Sequence, residues 1–188
     1  MMGILKKMMS NMKLSKFELN IECKKIIEAL NTKQSSSRFV GGFVRNYINN
    51  TNTKDIDIAT QLSPDEVIDV LSKVKIKAIP TGIKHGTVTA FINDQSFEIT
   101  TLRKEVRHDG RHSEVIFIDD WYEDASRRDF TINSIYINQN GEIYDPFNGI
   151  EHLNDKRIIF IGEPEKRINE DYLRTVSYTH LRAHETLT

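Results

Sequence analysis

The chain of 188 residues carries 26 lysines and arginines against 27 aspartates and glutamates, a formal net charge of −1. That balance excludes a global positive field, so any nucleic-acid contact must use a local patch. No apolar run approaches the roughly 20 residues that span a bilayer, and the single cysteine, Cys23, excludes a disulfide framework or cysteine-only metal site and suits a reducing cytoplasm.

Residues 1–14 scatter methionines among lysines without a sustained apolar core, and read as a disordered start rather than a signal peptide. Phe17, Leu19, Ile21, Ile26, Ile27 and Leu30 then recur with helical spacing and predict a helix. "SSSRFVGG" predicts a short strand entering a glycine turn, "FVRNYINN" a short helix stopped by its asparagines, and "DIDIAT" a strand. Ser63, Pro64 and Glu66 form a capping box that opens the helix "SPDEVIDVLSKV". "IKAIPTG" reads as strand and turn, and "GTVTAFIN" and "SFEITTLR" alternate on either side of Asn93-Asp94 as a hairpin does. "RKEVRHDGRHSEV" is polar, charged and glycine-containing, and a mobile loop is expected there. "WYEDASRRDFTINSIYIN" begins helical and ends strand-like. "GEIYDPFNGIEHLNDKRIIFIG" follows as a strand, a turn at Asp145-Pro146, a short helix and a final strand, and a last helix restarts after Pro164. This order predicts an α+β fold: a mixed sheet of about five strands with helices packed against it.

Three features point to chemistry. On a strand, Asp55 and Asp57 project from one face, and two repelling carboxylates there make a natural Mg²⁺ holder. Taken alone, such a pair is more commonly a solvated strand edge. Gly41-Gly42 falls between a strand and a helix, where free backbone N–H groups can meet phosphate oxygens, and Arg45 lies one turn into that helix, able to clamp a triphosphate. A routine turn with a surface arginine fits the same residues. Glu98, flanked by Phe97 and Ile99 that point the other way, is a third acid or a solvent-facing glutamate. Three acids would fit a two-metal scheme, one ion at an attacking oxygen and one at departing pyrophosphate.

The motifs "GGFVRN…KDIDIAT", "GIKHGTVTAF", "FEITTLR", "DGRH", "RRDFTINS", "DPFNGIEHL" and "EDYLR" occur in an order that resembles the family of CCA-adding tRNA nucleotidyltransferases and bacterial poly(A) polymerases. The resemblance runs from about Phe39 to Arg174. It implies a nucleotidyltransferase head domain over residues 15–162, the start of a helical neck over 163–176, and transfer of CMP and AMP from CTP and ATP to a tRNA 3′ end. Asp55 and Asp57 match the family's metal pair, Gly42 and Arg45 its nucleotide-phosphate motif, and Arg128 and Asp129 a motif near the nucleotide's sugar and phosphates. Asp171 and Arg174 resemble an amino-acid template that reads the base edge of ATP or CTP; by spacing they equally suit an intrahelical salt bridge. "RKEVRHDGRHSEV" resembles a loop that moves between C and A addition. Poly(A) polymerases and specialised CC- or A-adding enzymes share these motifs, and a nucleotide-binding remnant without turnover is the alternative of another class. Two departures stand out: Asn46 replaces the family's usual aspartate, and Ser177 and His180 replace two neck arginines. Residues 177–188 resemble a translated sequencing-adapter read-through, a non-native tail in which the metal-like spacing of His180 and His184 carries little weight.

Overall fold

The computed structural model describes residues 13–14, 16–32, 36–51, 53, 55–109 and 112–170. Asn20 decides where the first helix begins. Its side-chain oxygen accepts from the Cys23 N–H at 2.7 Å, so α1 runs Ile21–Leu30 and leaves Phe17 and Leu19, expected to be helical, ahead of it. After β1 (Ser37–Val40) the chain enters α2 (Gly41–Ile48) directly at the glycine pair, with no intervening loop. β2 (Ile56–Thr60) follows. The capping box forms as expected: Glu66 Oε2 accepts from the Ser63 N–H at 2.8 Å, and Ser63 Oγ accepts from the Glu66 N–H, starting α3 (Pro64–Lys73).

The remaining strands are β3 (Lys77–Gly82), β4 (Thr87–Ile92), β5 (Gln95–Thr101), β6 (Arg103–Asp109), β7 (His112–Phe117), β8 (Tyr136–Ile137) and β9 (Ile143–Tyr144). Helices α4 (Trp121–Ser126), α5 (Gly149–Asn154) and α6 (Pro164–Glu170) complete the order. Seven strands form one mixed sheet, β3-β4-β5-β2-β1-β8-β9, and β6-β7 form a separate ribbon. Among the described strands of the large sheet only β2 and β5 run parallel; the other neighbours are antiparallel. Pro80 sits in β3, at the sheet's edge, where its missing N–H leaves no central ladder broken.

The sheet is larger than the five strands expected, because the two short segments read as strands at Tyr136–Ile137 and Ile143–Tyr144 join it as β8 and β9. The stretch expected to be a mobile loop is instead the β6-β7 ribbon; its charged residues hide the alternation that normally announces a strand. The expected final strand around Ile158–Ile161 makes no ladder. It pairs with the "RRDFT" segment through an isolated Phe130–Phe160 bridge, with Thr131 N–H donating to Ile159 and Ile161 N–H to Asp129.

Alternation along the strands separates two faces. Phe39, Ile56, Ile58, Phe97 and Ile99 are fully or almost fully buried on one face with Ile26, Ile27 and Leu30 of α1, Val44 of α2 and Leu71 of α3. Each such side chain contributes about 1.5–3 kcal/mol by leaving water. This face carries most of the core. The opposite face carries the carboxylates.

Candidate active site

Strand register assembles the site. Residues paired directly across neighbouring strands share a face, and one such row reads Tyr144–Tyr136–Val40–Asp57–Glu98–Thr89 from β9 across to β4. Asp57 and Glu98, 41 residues apart in sequence, are therefore neighbours on parallel strands. Asp55 immediately precedes β2 and is exposed, whereas Asp57 is half-buried. Burial first, then Glu98 and Asp55, push the Asp57 carboxyl above its usual value, against the attraction of Arg128 and Arg45. A carboxylate in that position is short of positive charge.

The glycine pair abuts it. Gly41 has φ +68°, and a Cβ there would lie 3.1 Å from Asp57 Oδ2. Both facts favour glycine: the left-handed backbone disfavours a side chain, and the carboxylate leaves little room for one. The N-cap of α2 is Val40, which offers no side-chain acceptor, so the first N–H groups of this helix are uncapped by any side chain. At Gly42 a Cβ would meet only Arg45 Nη2, at 3.8 Å. Arg45 donates from Nη1 to Asn133 Oδ1 at 2.6 Å. Asn133 Nδ2 in turn donates to Asp129 Oδ1 at 3.1 Å, which also accepts from the Phe130 N–H at 2.7 Å. The glycine–arginine motif and "RRDFTIN" are thus joined through Asn133, a residue the sequence reading passed over although it lies inside a motif that reading singled out.

A second network lies alongside. The Asp124 side chain is 1% exposed. Its Oδ1 accepts from Arg127 Nε at 2.9 Å and from the Arg103 N–H at 3.2 Å, and its Oδ2 accepts from Tyr136 OH at 2.8 Å and Arg128 Nη2 at 3.3 Å. Burial would raise its pKa, but Arg128, Arg127 and the hydrogen bonds from Tyr136 and Arg127 outweigh it and hold the value down at about 2. Burial likewise opposes the charge of Arg128, and Tyr136 and Asp124 overcome it and keep the guanidinium firmly protonated. Neither Asp124 nor Tyr136 was picked out from sequence; the i, i+4 spacing of Asp124 and Arg128 was the available signal.

Two local devices seat the "RRDFTIN" segment. Asp145 caps α5 by accepting from the N–H groups of Gly149 at 2.7 Å and Ile150 at 2.9 Å. Gly149 lets α5 approach so closely that a Cβ would lie 2.2 Å from the Thr131 carbonyl oxygen.

The structure therefore brings Gly41, Gly42, Arg45, Asp55, Asp57, Glu98, Arg128 and Asp129 into one connected region. Asp171 and Arg174 lie outside the described residues, as do residues 1–12 and the segment 177–188. Among the described residues no group of three or more His, Cys, Asp or Glu is arranged to hold a metal; Asp55 lies two residues before Asp57, and Glu98 is paired beside Asp57. Two carboxylates fit Mg²⁺, which takes one or two from a protein and fills its remaining positions with water and substrate phosphate. Nothing in the structure explains Asn46, whose backbone carbonyl accepts from the Thr51 N–H at 2.8 Å.

Comparison with known proteins identifies the family. Residues 37–159 match the Poly A polymerase head domain. The human protein named CCA tRNA nucleotidyltransferase 1, mitochondrial, is 43% identical over 156 residues, 82% of this chain and 36% of the human one. The crystal structure of the Bacillus stearothermophilus CCA-adding enzyme in complex with CTP superposes with a TM-score of 0.72 at 36% identity, covering 82% of this chain and 36% of that one. A tRNA nucleotidyltransferase complexed with a primer tRNA and an incoming ATP analog gives 0.62 at 25% identity, over 79% and 42% of the two chains. The chain thus spans about a third of the length of its human relative. With residues 37–159 matched, the carboxylate row and its two arginine networks belong to a member of the poly(A) polymerase head-domain family.

Proposed function

We propose that the chain is the catalytic head of a CCA-adding tRNA nucleotidyltransferase, transferring CMP and AMP from CTP and ATP to a tRNA 3′ end. The observation that carries this is the pairing of Asp57 with Glu98 on a face bordered by Gly41 and by the Arg45–Asn133–Asp129 chain. In the reaction the terminal ribose oxygen forms a bond to the α-phosphorus, the bond to the β-phosphate breaks, pyrophosphate leaves and the hydroxyl proton is released. Asp55 and Asp57 would hold Mg²⁺, which supplies charge neutralisation at the phosphates and lowers the hydroxyl pKa. Gly42 gives the triphosphate room to approach the α2 backbone, and Arg45 and Arg128 oppose its charge. Asn133 keeps Arg45 and Asp129 in fixed relation, so that both reach one nucleotide. Asp171 and Arg174 are assigned to base selection, in a neck that begins at α6. The lone buried Cys23 supports a reducing, cytoplasmic setting, although the human relative is named mitochondrial.

The family description itself favours a second reading, poly(A) polymerase, and nucleotide binding without turnover is the alternative of another class. One experiment separates them: the chain, Mg²⁺, labelled CTP or ATP, and tRNA lacking its CCA end. Ordered addition of C, C and A supports the first reading. Tailing of arbitrary RNA with A supports the second, and binding without extension the third.

A further inference from the structure

We propose that Asp124 and Tyr136 are positioning residues that hold the Arg128 guanidinium over the carboxylate face, and that they act on the nucleotide only through Arg128. The proposal rests on the nucleotidyl-transfer reading above. Asp124 divides its two oxygens. Oδ1 is occupied by Arg127, 2.8 Å to Nη2, and by the Arg103 backbone, which would suffice to staple the end of α4. Oδ2 serves Arg128 and the Tyr136 hydroxyl instead. That hydroxyl accepts from Arg128 Nε at 3.0 Å while donating to Asp124, so two different nitrogens of one guanidinium are fixed and its plane is set. The Arg128 Cζ also lies 5.2 Å from the centre of the Tyr136 ring. Tyr136 is itself immobilised: it is fully buried, paired to Val40 and met edge-on by Trp121 at 5.4 Å.

The row geometry gives this clamp its purpose. Tyr136 and Asp57 stand on either side of Val40 in the same cross-sheet row, about two strand spacings or ~10 Å apart. An arginine anchored on Tyr136 through Nε and on Asp124 through Nη2 is thereby held beside this row. Freed from the clamp, the same side chain would sample several rotamers and face the triphosphate only part of the time. The loss should therefore fall on nucleotide affinity, and equally for CTP and ATP because the contact does not involve the base.

Calorimetric titration of Mg-CTP and Mg-ATP into the chain, with melting curves for each variant, tests this. Tyr136→Phe keeps the buried ring and removes only the hydroxyl; Asp124→Asn keeps the shape and removes the charge. Each should weaken both nucleotides by roughly tenfold, leave their ratio unchanged, and leave binding of tRNA lacking CCA unchanged. Arg128→Ala should weaken them more, and Tyr136→Phe combined with Arg128→Ala should be no worse than Arg128→Ala by itself. Additive losses, unaltered affinity in Tyr136→Phe, or losses that follow the melting temperature would each overturn the proposal and leave the enzyme reading intact. Failure of the unsubstituted chain to bind either nucleotide would overturn both.

Discussion

The two faces of the large sheet are built from the same strands and obey opposite rules. On β2, Ile56 and Ile58 are buried against α1 and α3, while Asp57 between them faces the other way, beside Glu98. On β5, Phe97 and Ile99 are buried and Glu98 is exposed. One face lowers free energy mainly by removing apolar surface from water; the other buries a smaller cluster around Val40, Ala59, Leu102 and Tyr136 and also holds like charges together at a cost. That cost is the mark of a site kept for ligand and not for stability.

The largest expected effect tests that claim at Asp57. Its carboxyl is raised above the unfolded value, so the folded state binds the proton more tightly, and stability falls as pH rises from the unfolded value, about 3.9, through the folded one. At neutral pH the charge is a net burden. Asp57→Asn should raise the melting temperature at pH 7 while lowering transfer at least about 10³-fold. Mg²⁺ should raise the melting temperature of the unsubstituted chain and do so far less in Asp57→Asn. A variant that melts lower and keeps its activity would remove the distinction between the faces.

The apolar face should show the reverse. Phe97 is fully buried and neighbours Ile56 across the parallel ladder. Phe97→Ala should cost about 3–5 kcal/mol in urea unfolding, with Mg-CTP affinity of the remaining folded protein close to that of the unsubstituted chain. If affinity falls in step with stability, the two faces are coupled more tightly than the alternation implies.

How much of this was legible beforehand depends on range. Local chemistry was readable: the Ser63–Glu66 capping box, the Asn93-Asp94 hairpin, and the isoleucines alternating with Asp57 all depend on residues within a few positions. The pairing of Asp57 with Glu98 was not, because parallel register is decided by the whole sheet. Asn133 was overlooked because its partner Arg45 is 88 residues away, and the β6-β7 ribbon because consecutive charges such as Arg103, Lys104 and Glu105 show no alternation. The resemblance supplied what the residues did not, marking Arg128 and Asp129 as members of the same site as the carboxylates without saying how Asp124, Tyr136 and Asn133 hold them.

The smallest effect is the most discriminating, because it lies where the two faces meet at the start of α2. Gly41 and Gly42 are adjacent, yet their surroundings differ. Gly41→Ala places a side chain at φ +68° and 3.1 Å from Asp57 Oδ2, so it should destabilise by roughly 1–2 kcal/mol and displace the Asp57 carboxylate. Gly42→Ala meets nothing nearer than Arg45 Nη2 at 3.8 Å and replaces a poor helix former by a better one, a gain of up to about 1 kcal/mol. Its urea midpoint should hold or rise. If the Gly42 backbone is where triphosphate oxygens approach, the added methyl occupies their space, and Mg-CTP should bind about tenfold more weakly to a protein that is no less stable. Unchanged Mg-CTP binding in Gly42→Ala would reduce the glycine pair to a tight turn required by Gly41, and the phosphate contact would then fall to Arg45 and Arg128.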